Sequence, residues 1–93
     1  MINNGGRAGP DTRETLKQGH ETTLTVNYLG HYLLTKNLLP LIKESESGRI
    51  VNVSSAAYEF YGIDIGDMQM EKEGSYGPLK AYSHSKLMQI MMT

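Results

Sequence analysis

One short run of β-branched residues, Arg49-Ile-Val-Asn-Val-Ser54, lies between two stretches of helical periodicity. The run is bounded by Gly48 and by small residues beyond Ser54, which predicts a strand. Upstream, Leu24, Tyr28, Leu29, Tyr32, Leu33, Leu39 and Ile42 recur at helical spacing, predicting a helix from about Glu21 to Glu44. Pro40 is expected to kink that helix or end its first part, because it lacks a donor and clashes with the preceding turn. Downstream, a helix is expected from Leu79, with Pro78 at or just before its first turn. Residues 1–4 read as the end of another strand. The order strand, helix, strand, loop, helix is an α/β alternation, and that implies a parallel sheet. Only one whole strand is present, and a buried parallel strand needs neighbours on both sides. Residues 1–93 are therefore expected to be part of a domain that is incomplete at both ends.

Several function classes are excluded on composition. Nine basic against ten acidic residues give a formal net charge of -1, which supplies no electrostatic footprint for nucleic acid. There is no cysteine, so disulfides and thiolate metal sites are out, and a reducing compartment fits best. His20, His31 and His84 are far apart with no ligand spacing, so no metal site is expected. No apolar run is long enough to span a bilayer, and MINNGGRAGPD has no apolar core of a secretory signal. Residues 56–78 read as irregular, with Asp64 and Asp67 solvated. Loops of that length are often functional.

Chemistry concentrates in Tyr82-Ser-His-Ser-Lys86. On a helix, positions four apart share a face. An ammonium one turn from a phenol favours the phenolate, and such a tyrosine can exchange a proton with an alcohol or carbonyl oxygen. The spacing recurs in Tyr32/Lys36 and Tyr76/Lys80. Tyr76/Lys80 contains Gly77 and Pro78, so its members will not share a helical face. Tyr32 sits on the apolar stripe and is expected to be core. Tyr82 differs by following a strand that ends in Ser54-Ser55. Ligands of parallel sheets bind beyond the carboxyl ends of strands, where a hydroxyl can donate to a developing oxyanion.

With these residues in place, the chain resembles the central part of a short-chain dehydrogenase/reductase. Asn3-Asn4-Gly5-Gly6 resembles the Asn-Asn-Ala-Gly motif that closes the family's fourth strand. Val26-Asn27-Tyr28-Leu29-Gly30-His31 resembles the start of its catalytic-asparagine helix. Gly48 to Ser55 resembles its fifth strand with the catalytic serine, and Tyr82 to Lys86 its Tyr-x-x-x-Lys motif. The resemblance implies a Rossmann-type, doubly wound parallel sheet, present here as the end of strand 4, a helix, strand 5, a loop and a helix. It implies catalytic roles for Asn27, Ser55, Tyr82 and Lys86. Tyr82 would act as general acid in reduction and base in oxidation, with Lys86 tuning it and holding the nicotinamide ribose. Ser55 would orient the substrate oxygen. Asn27 would hold a kinked helix turn and a water leading to Lys86. Asn3, Asn4, Gly5 and Gly6 would support the cofactor cleft.

The 27 positions from Ser55 to Tyr82 form a long gap for the family. Within it, Asp67-Met68-Gln69 with Glu71-Lys72 is similar to retinol dehydrogenase-like members, as is Val26 to Thr35. This implies an apolar alcohol/carbonyl pair, such as a retinoid or steroid, and NADP or NAD as cofactor. The compartment stays open: intracellular, and cytoplasmic or on an intracellular membrane if a full-length parent carries an anchor. Homo-oligomers through the two long helices are also implied. The family's glycine-rich phosphate loop is absent from these residues, and Gly5 stands where alanine is usual, which adds backbone freedom. The alternative expectation is a truncated, non-catalytic chain that at most associates with a full-length subunit through its helices.

Overall fold

The computed structural model describes all 93 residues, Met1–Thr93. Strand β1 (Ile2–Asn3) pairs in parallel with β2 (Val51–Asn52), with Ile2 opposite Val51 and Asn3 opposite Asn52. The Val51 amide donates to the Met1 carbonyl at 2.9 Å and the Val53 amide to Asn3 at 3.1 Å. Residues 1–4, read from sequence as the end of a strand, thus give β2 one parallel neighbour. Three residues at the N-terminus supply enough carbonyls and amides to satisfy one of its edges. Side chains alternate across such a ladder. Ile2 and Val51 stand together on one face, 68% and 49% exposed, while Asn3 is buried on the other. The Asn3 amide donates to Thr35 Oγ1 at 3.0 Å and to Asn52 Oδ1 at 2.6 Å. These bonds tie the strand pair to the helix that crosses between them.

That helix is built in three parts: α1 (Thr22–Leu24), a π-helical turn (Thr25–Leu29) and α2 (Gly30–Glu44). Its start is set by Glu21, fully buried, whose two carboxylate oxygens accept from the Thr23 amide at 2.8 Å and the Leu24 amide at 2.7 Å. A helix N-terminus leaves such donors unpaired and favours negative charge. Pro40 does not end the helix, which continues to Glu44. Pro40 is exposed, so water can solvate the carbonyl that its missing amide would have bonded. The expectation that Tyr32 is core is also corrected. Tyr32 is 45% exposed, and no side chain of α2 is buried. Periodicity marks an apolar face; it does not say that these 93 residues cover it.

Helix α3 (Pro78–Met92) begins with Pro78 after an extended Gly77, as a proline in the first turn should. It packs against α1, the π turn and a 3-10 turn at Ala56–Glu59. Its buried residues include Ala81, Ser83, His84, Ser85, Lys86, Met88 and Gln89. Small serines allow close approach, and they pair as they do so. Ser83 Oγ donates to the Ala57 carbonyl at 2.6 Å, and Ser54 Oγ to the Lys86 carbonyl at 2.7 Å. The interior of this chain is thus mostly polar. Its buried apolar residues are Leu24, Met70, Ala81 and Met88, whereas Leu33, Leu34 and Leu41 remain exposed.

The segment between Ser55 and Tyr82 is more ordered than its glycines predict. Gln69 holds it down with three contacts. Its carbonyl accepts from Arg13 Nε at 2.9 Å, its Oε1 accepts from the Glu21 amide at 3.0 Å, and its Nε2 meets His20 Nδ1 at 2.9 Å. Met70 follows at φ 52, 2% exposed. A left-handed non-glycine residue costs about 1–2 kcal/mol and persists where the surroundings dictate it. Asp67, expected to be solvated, is instead buried, and its Oδ1 accepts from the Glu71 amide at 2.7 Å. Burial pushes its pKa up, but the Ser75 hydroxyl and the Glu71 and Lys72 amides outweigh that and hold the carboxyl below its ordinary value. Asp64 is exposed, as expected.

Candidate active site

The chain leaves both strands at the same end, and there it lines an open cleft with α3. Asn4, Gly6 and Arg7 come from beyond β1, Val53 and Ser54 from beyond β2, and Tyr82 and Lys86 from α3. Parallel sheets bind ligands at this end. Tyr82 and Lys86 lie one turn apart, with Nζ 5.7 Å from the centre of the phenol ring. Tyr82 is partly exposed, whereas Lys86 is 4% exposed. The buried ammonium is held by two acceptors, the Val53 carbonyl at 3.2 Å and Gln89 Oε1 at 3.0 Å. An ammonium has three donors, so one remains for the cleft.

Asn27 is fully buried and lies in the π turn. Its Oδ1 accepts from the Arg7 amide at 2.8 Å, and its Nδ2 donates to the Arg7 carbonyl at 2.9 Å and to Ser85 Oγ at 2.9 Å. The side chain therefore pairs with Arg7 as a neighbouring strand would, and it fixes the loop beyond β1 against α3. Ser85 Oγ in turn donates to the Tyr82 carbonyl at 2.7 Å.

The two serines beyond β2 are placed differently. Ser54 lines the cleft, but its proton is committed to the Lys86 carbonyl. Ser55 begins the Ala56–Glu59 turn, where its Oγ accepts from the Ala57 amide at 3.2 Å. Accepting leaves the Ser55 hydroxyl proton free to donate. Of the four residues of the expected cofactor motif, Asn4 and Gly6 line the cleft. Asn3 does not: it is buried between the strands and α2. Gly5 also does not line it and lies toward His31, whose Nε2 is 3.7 Å from where a Gly5 Cβ would sit.

Gly6 has the tightest surroundings of the motif. A Cβ there would stand 3.2 Å from Asn27 Oδ1 and 3.3 Å from Lys86 Nζ. Asn27 is pinned by three hydrogen bonds, so the lysine end is the part able to give. Gly6→Ala is expected to displace the ammonium and lower turnover about tenfold or more, with a small loss of stability of about 1 kcal/mol. Steady-state rates alongside thermal unfolding check this; a fully active variant would mean that Lys86 tolerates the shift.

Sequence reasoning missed two contributors and one buried imidazole. Gln89 and His31 reach Lys86 through hydrogen bonds, and Gln89 is fully buried on α3. Its position one turn beyond Lys86 was visible as helical spacing. His84 is 1% exposed, and neither ring nitrogen has a partner. Burial lowers its pKa below the ordinary 6.5, and Lys80 lowers it further. A neutral buried imidazole binds its proton more weakly folded than unfolded. Stability is therefore complete above pH 6.5 and is lost as pH falls toward the folded value. Thermal unfolding across mildly acidic pH is expected to show this loss, and His84→Phe to reduce it; an unchanged slope would put the acid sensitivity elsewhere.

Comparison with known proteins fits this geometry. The family model for short chain dehydrogenase matches residues 1–93. Human retinol dehydrogenase 12 is 45% identical over 93 residues and human retinol dehydrogenase 11 is 44% identical, each match covering all of this chain and 28% of the relative. Human polyprenol dehydrogenase is 39% identical over 97 residues, with the same coverage. The chain thus spans little more than a quarter of the length of these relatives. No solved structure matches it. Matched along its whole length, with the cleft at the carboxyl ends of parallel strands, the chain belongs to the short-chain dehydrogenase family.

Proposed function

We propose that these residues form the catalytic segment of an NAD(P)-dependent oxidoreductase that interconverts an apolar alcohol and its carbonyl. The observation that carries this reading is the buried Lys86 ammonium, held by two acceptors beside Tyr82 and facing a cleft floored by Gly6. Such a centre fits the ribose end of a nicotinamide dinucleotide. Lys86 has a donor left for a ribose hydroxyl, and Gly6 leaves space that a side chain would fill. The nicotinamide, when bound, supplies the hydride.

The protein's own residues handle the rest. Tyr82 gives its phenolic proton to the substrate oxygen in reduction and takes it back in oxidation. Ser55, its hydroxyl proton free, orients that oxygen. Asn27 sets the loop beyond β1 through Arg7 and steadies α3 through Ser85. Asn4 and Gly6 border the cofactor cleft, while Asn3 supports it from within the sheet. The names of the relatives, retinol and polyprenol dehydrogenases, support an apolar substrate. The exposed apolar face of α2 supports association with another subunit. No helix is long and apolar enough to cross a membrane.

The test is turnover of NADPH and NADH with retinal, a polyprenal and a steroid ketone, with these residues set within a complete short-chain dehydrogenase polypeptide. Activity with at least one apolar carbonyl is expected; inactivity with all three under both cofactors overturns the reading. The 93-residue chain by itself is expected neither to bind a dinucleotide nor to melt as a monomer. It contains no glycine-rich phosphate loop, which carries dinucleotide affinity in such folds. It also exposes Ile2, Leu33, Leu41 and Val51, and surface of that kind drives association. Calorimetric titration and sedimentation check both points; micromolar binding by a sharply melting monomer would show a self-sufficient domain.

A further inference from the structure

We infer that Gln89 and His31 are positioning residues for Lys86, fixing where its ammonium sits and making that placement depend on a neutral His31. The inference rests on the dehydrogenase reading and deepens it.

The chain of contacts has only one consistent assignment. An ammonium can only donate, so the Gln89 atom 3.0 Å from Lys86 Nζ is the carbonyl oxygen Oε1. That settles the orientation of the amide and directs Nε2 at His31 Nδ1, 2.9 Å away. Nε2 carries only donors, so Nδ1 must be the acceptor, and His31 must be neutral with its proton on Nε2. Protonation of Nδ1 sets N–H against N–H. Turning the amide over would satisfy the imidazolium but aim donors at the ammonium. Either way Lys86 loses an acceptor and keeps only the Val53 carbonyl at 3.2 Å. With Lys86 4% exposed and Gln89 fully buried, water has little room to stand in.

The surroundings keep His31 neutral. Burial lowers its pKa from 6.5, the charge of Lys86 on α3 lowers it further, and the Asn27 backbone carbonyl offsets part of this. Lys86 is the charged group acting on the ring, and no carboxylate does so. From the loop beyond β1, Gly5 faces it and brings no side chain. The coupling therefore acts below the ordinary imidazole value: as pH falls through the His31 value, Lys86 loses its Gln89 acceptor.

The experiment uses a complete short-chain dehydrogenase polypeptide carrying these residues. Dissociation constants for NADPH and NADH are measured between about pH 5 and 8 in the parent, Gln89→Leu and Gln89→Glu. Nitrogen-15 NMR of the His31 ring runs alongside. The parent is expected to hold His31 as the Nε2–H tautomer and to lose cofactor affinity at acid pH. Gln89→Leu is expected to bind about tenfold more weakly at neutral pH, as for loss of one hydrogen bond to a charged group, with the acid loss diminished. Gln89→Glu, whose carboxylate accepts from Lys86 and from protonated His31 alike, is expected to bind within a few-fold of the parent and to lack the acid loss. An Nδ1–H tautomer in the parent overturns the inference, whether or not the protein turns over a substrate. Parent-like affinity and pH dependence in Gln89→Leu also overturn it. Absence of turnover in the parent with a confirmed Nε2–H tautomer counts against the dehydrogenase reading and leaves the positioning of Lys86 intact.

Discussion

Tyr82→Phe is expected to lower turnover about 10²–10⁴-fold, the usual cost of removing a general acid–base group. The ring stays in place, so packing on α3 and cofactor affinity should change little. The controls lie in the same sequence pattern. Tyr32 is 45% exposed on α2, and the Tyr76 hydroxyl is occupied, donating to the Pro10 carbonyl at 2.6 Å. Tyr32→Phe should leave both rate and stability nearly unchanged. Tyr76→Phe should leave the rate nearly unchanged and cost about 1 kcal/mol of stability. Steady-state rates of the three variants separate the cases. Turnover of Tyr82→Phe within threefold of the parent would remove Tyr82 from the chemistry, and a collapse in Tyr32→Phe would point to another proton donor.

Asn27→Leu is expected to be the most damaging substitution for stability. It fills a similar volume but deletes three hydrogen bonds, two of them to the backbone of Arg7 and one to Ser85. A partner left unpaired in a buried site costs about 1–3 kcal/mol; the Ser85 bond is buried and the two Arg7 bonds partly so, and a loss of about 3 kcal/mol is expected. That is a large part of the 5–15 kcal/mol typical of a domain. Turnover should fall too, because the loop beyond β1 is then free to move against Lys86. Denaturant unfolding measures the first effect, and rates at a temperature where the variant stays folded measure the second. A variant as stable as the parent would show that Arg7 finds other partners.

Much of this architecture is legible in the sequence, for identifiable reasons. Glycine and proline at 77–78 announce the start of α3, and Tyr82 and Lys86 follow at a spacing that only a helix brings together. The start of the first helix is legible within a residue because periodicity begins where Glu21 caps it. What is not legible depends on how loops fold and on what covers each face. Asp67 looks solvated among glycines, yet nearby amides and the Ser75 hydroxyl stabilise its carboxylate. Tyr32 looks like core because its face is apolar, but nothing in these residues covers that face of α2. The two serines beyond β2 are indistinguishable in composition. Their partners separate them: Ser54 donates to the Lys86 carbonyl, while Ser55 caps the Ala56–Glu59 turn.

The π turn at Thr25–Leu29 has a consequence for deletions. A π turn holds one residue more than an α turn, about 100° of helix rotation. It therefore acts as a phase offset between α1, which lies against α3, and α2, which carries the Asn3–Thr35 contact outward. Removing one residue from the turn, Val26 for example, would restore a uniform ladder while rotating one half of the helix against the other. Asn27 and Thr35 could then no longer meet Arg7 and Asn3 together. A shorter and more regular helix at this point would be a worse scaffold, so single-residue deletions here should be more harmful than substitutions at the same positions.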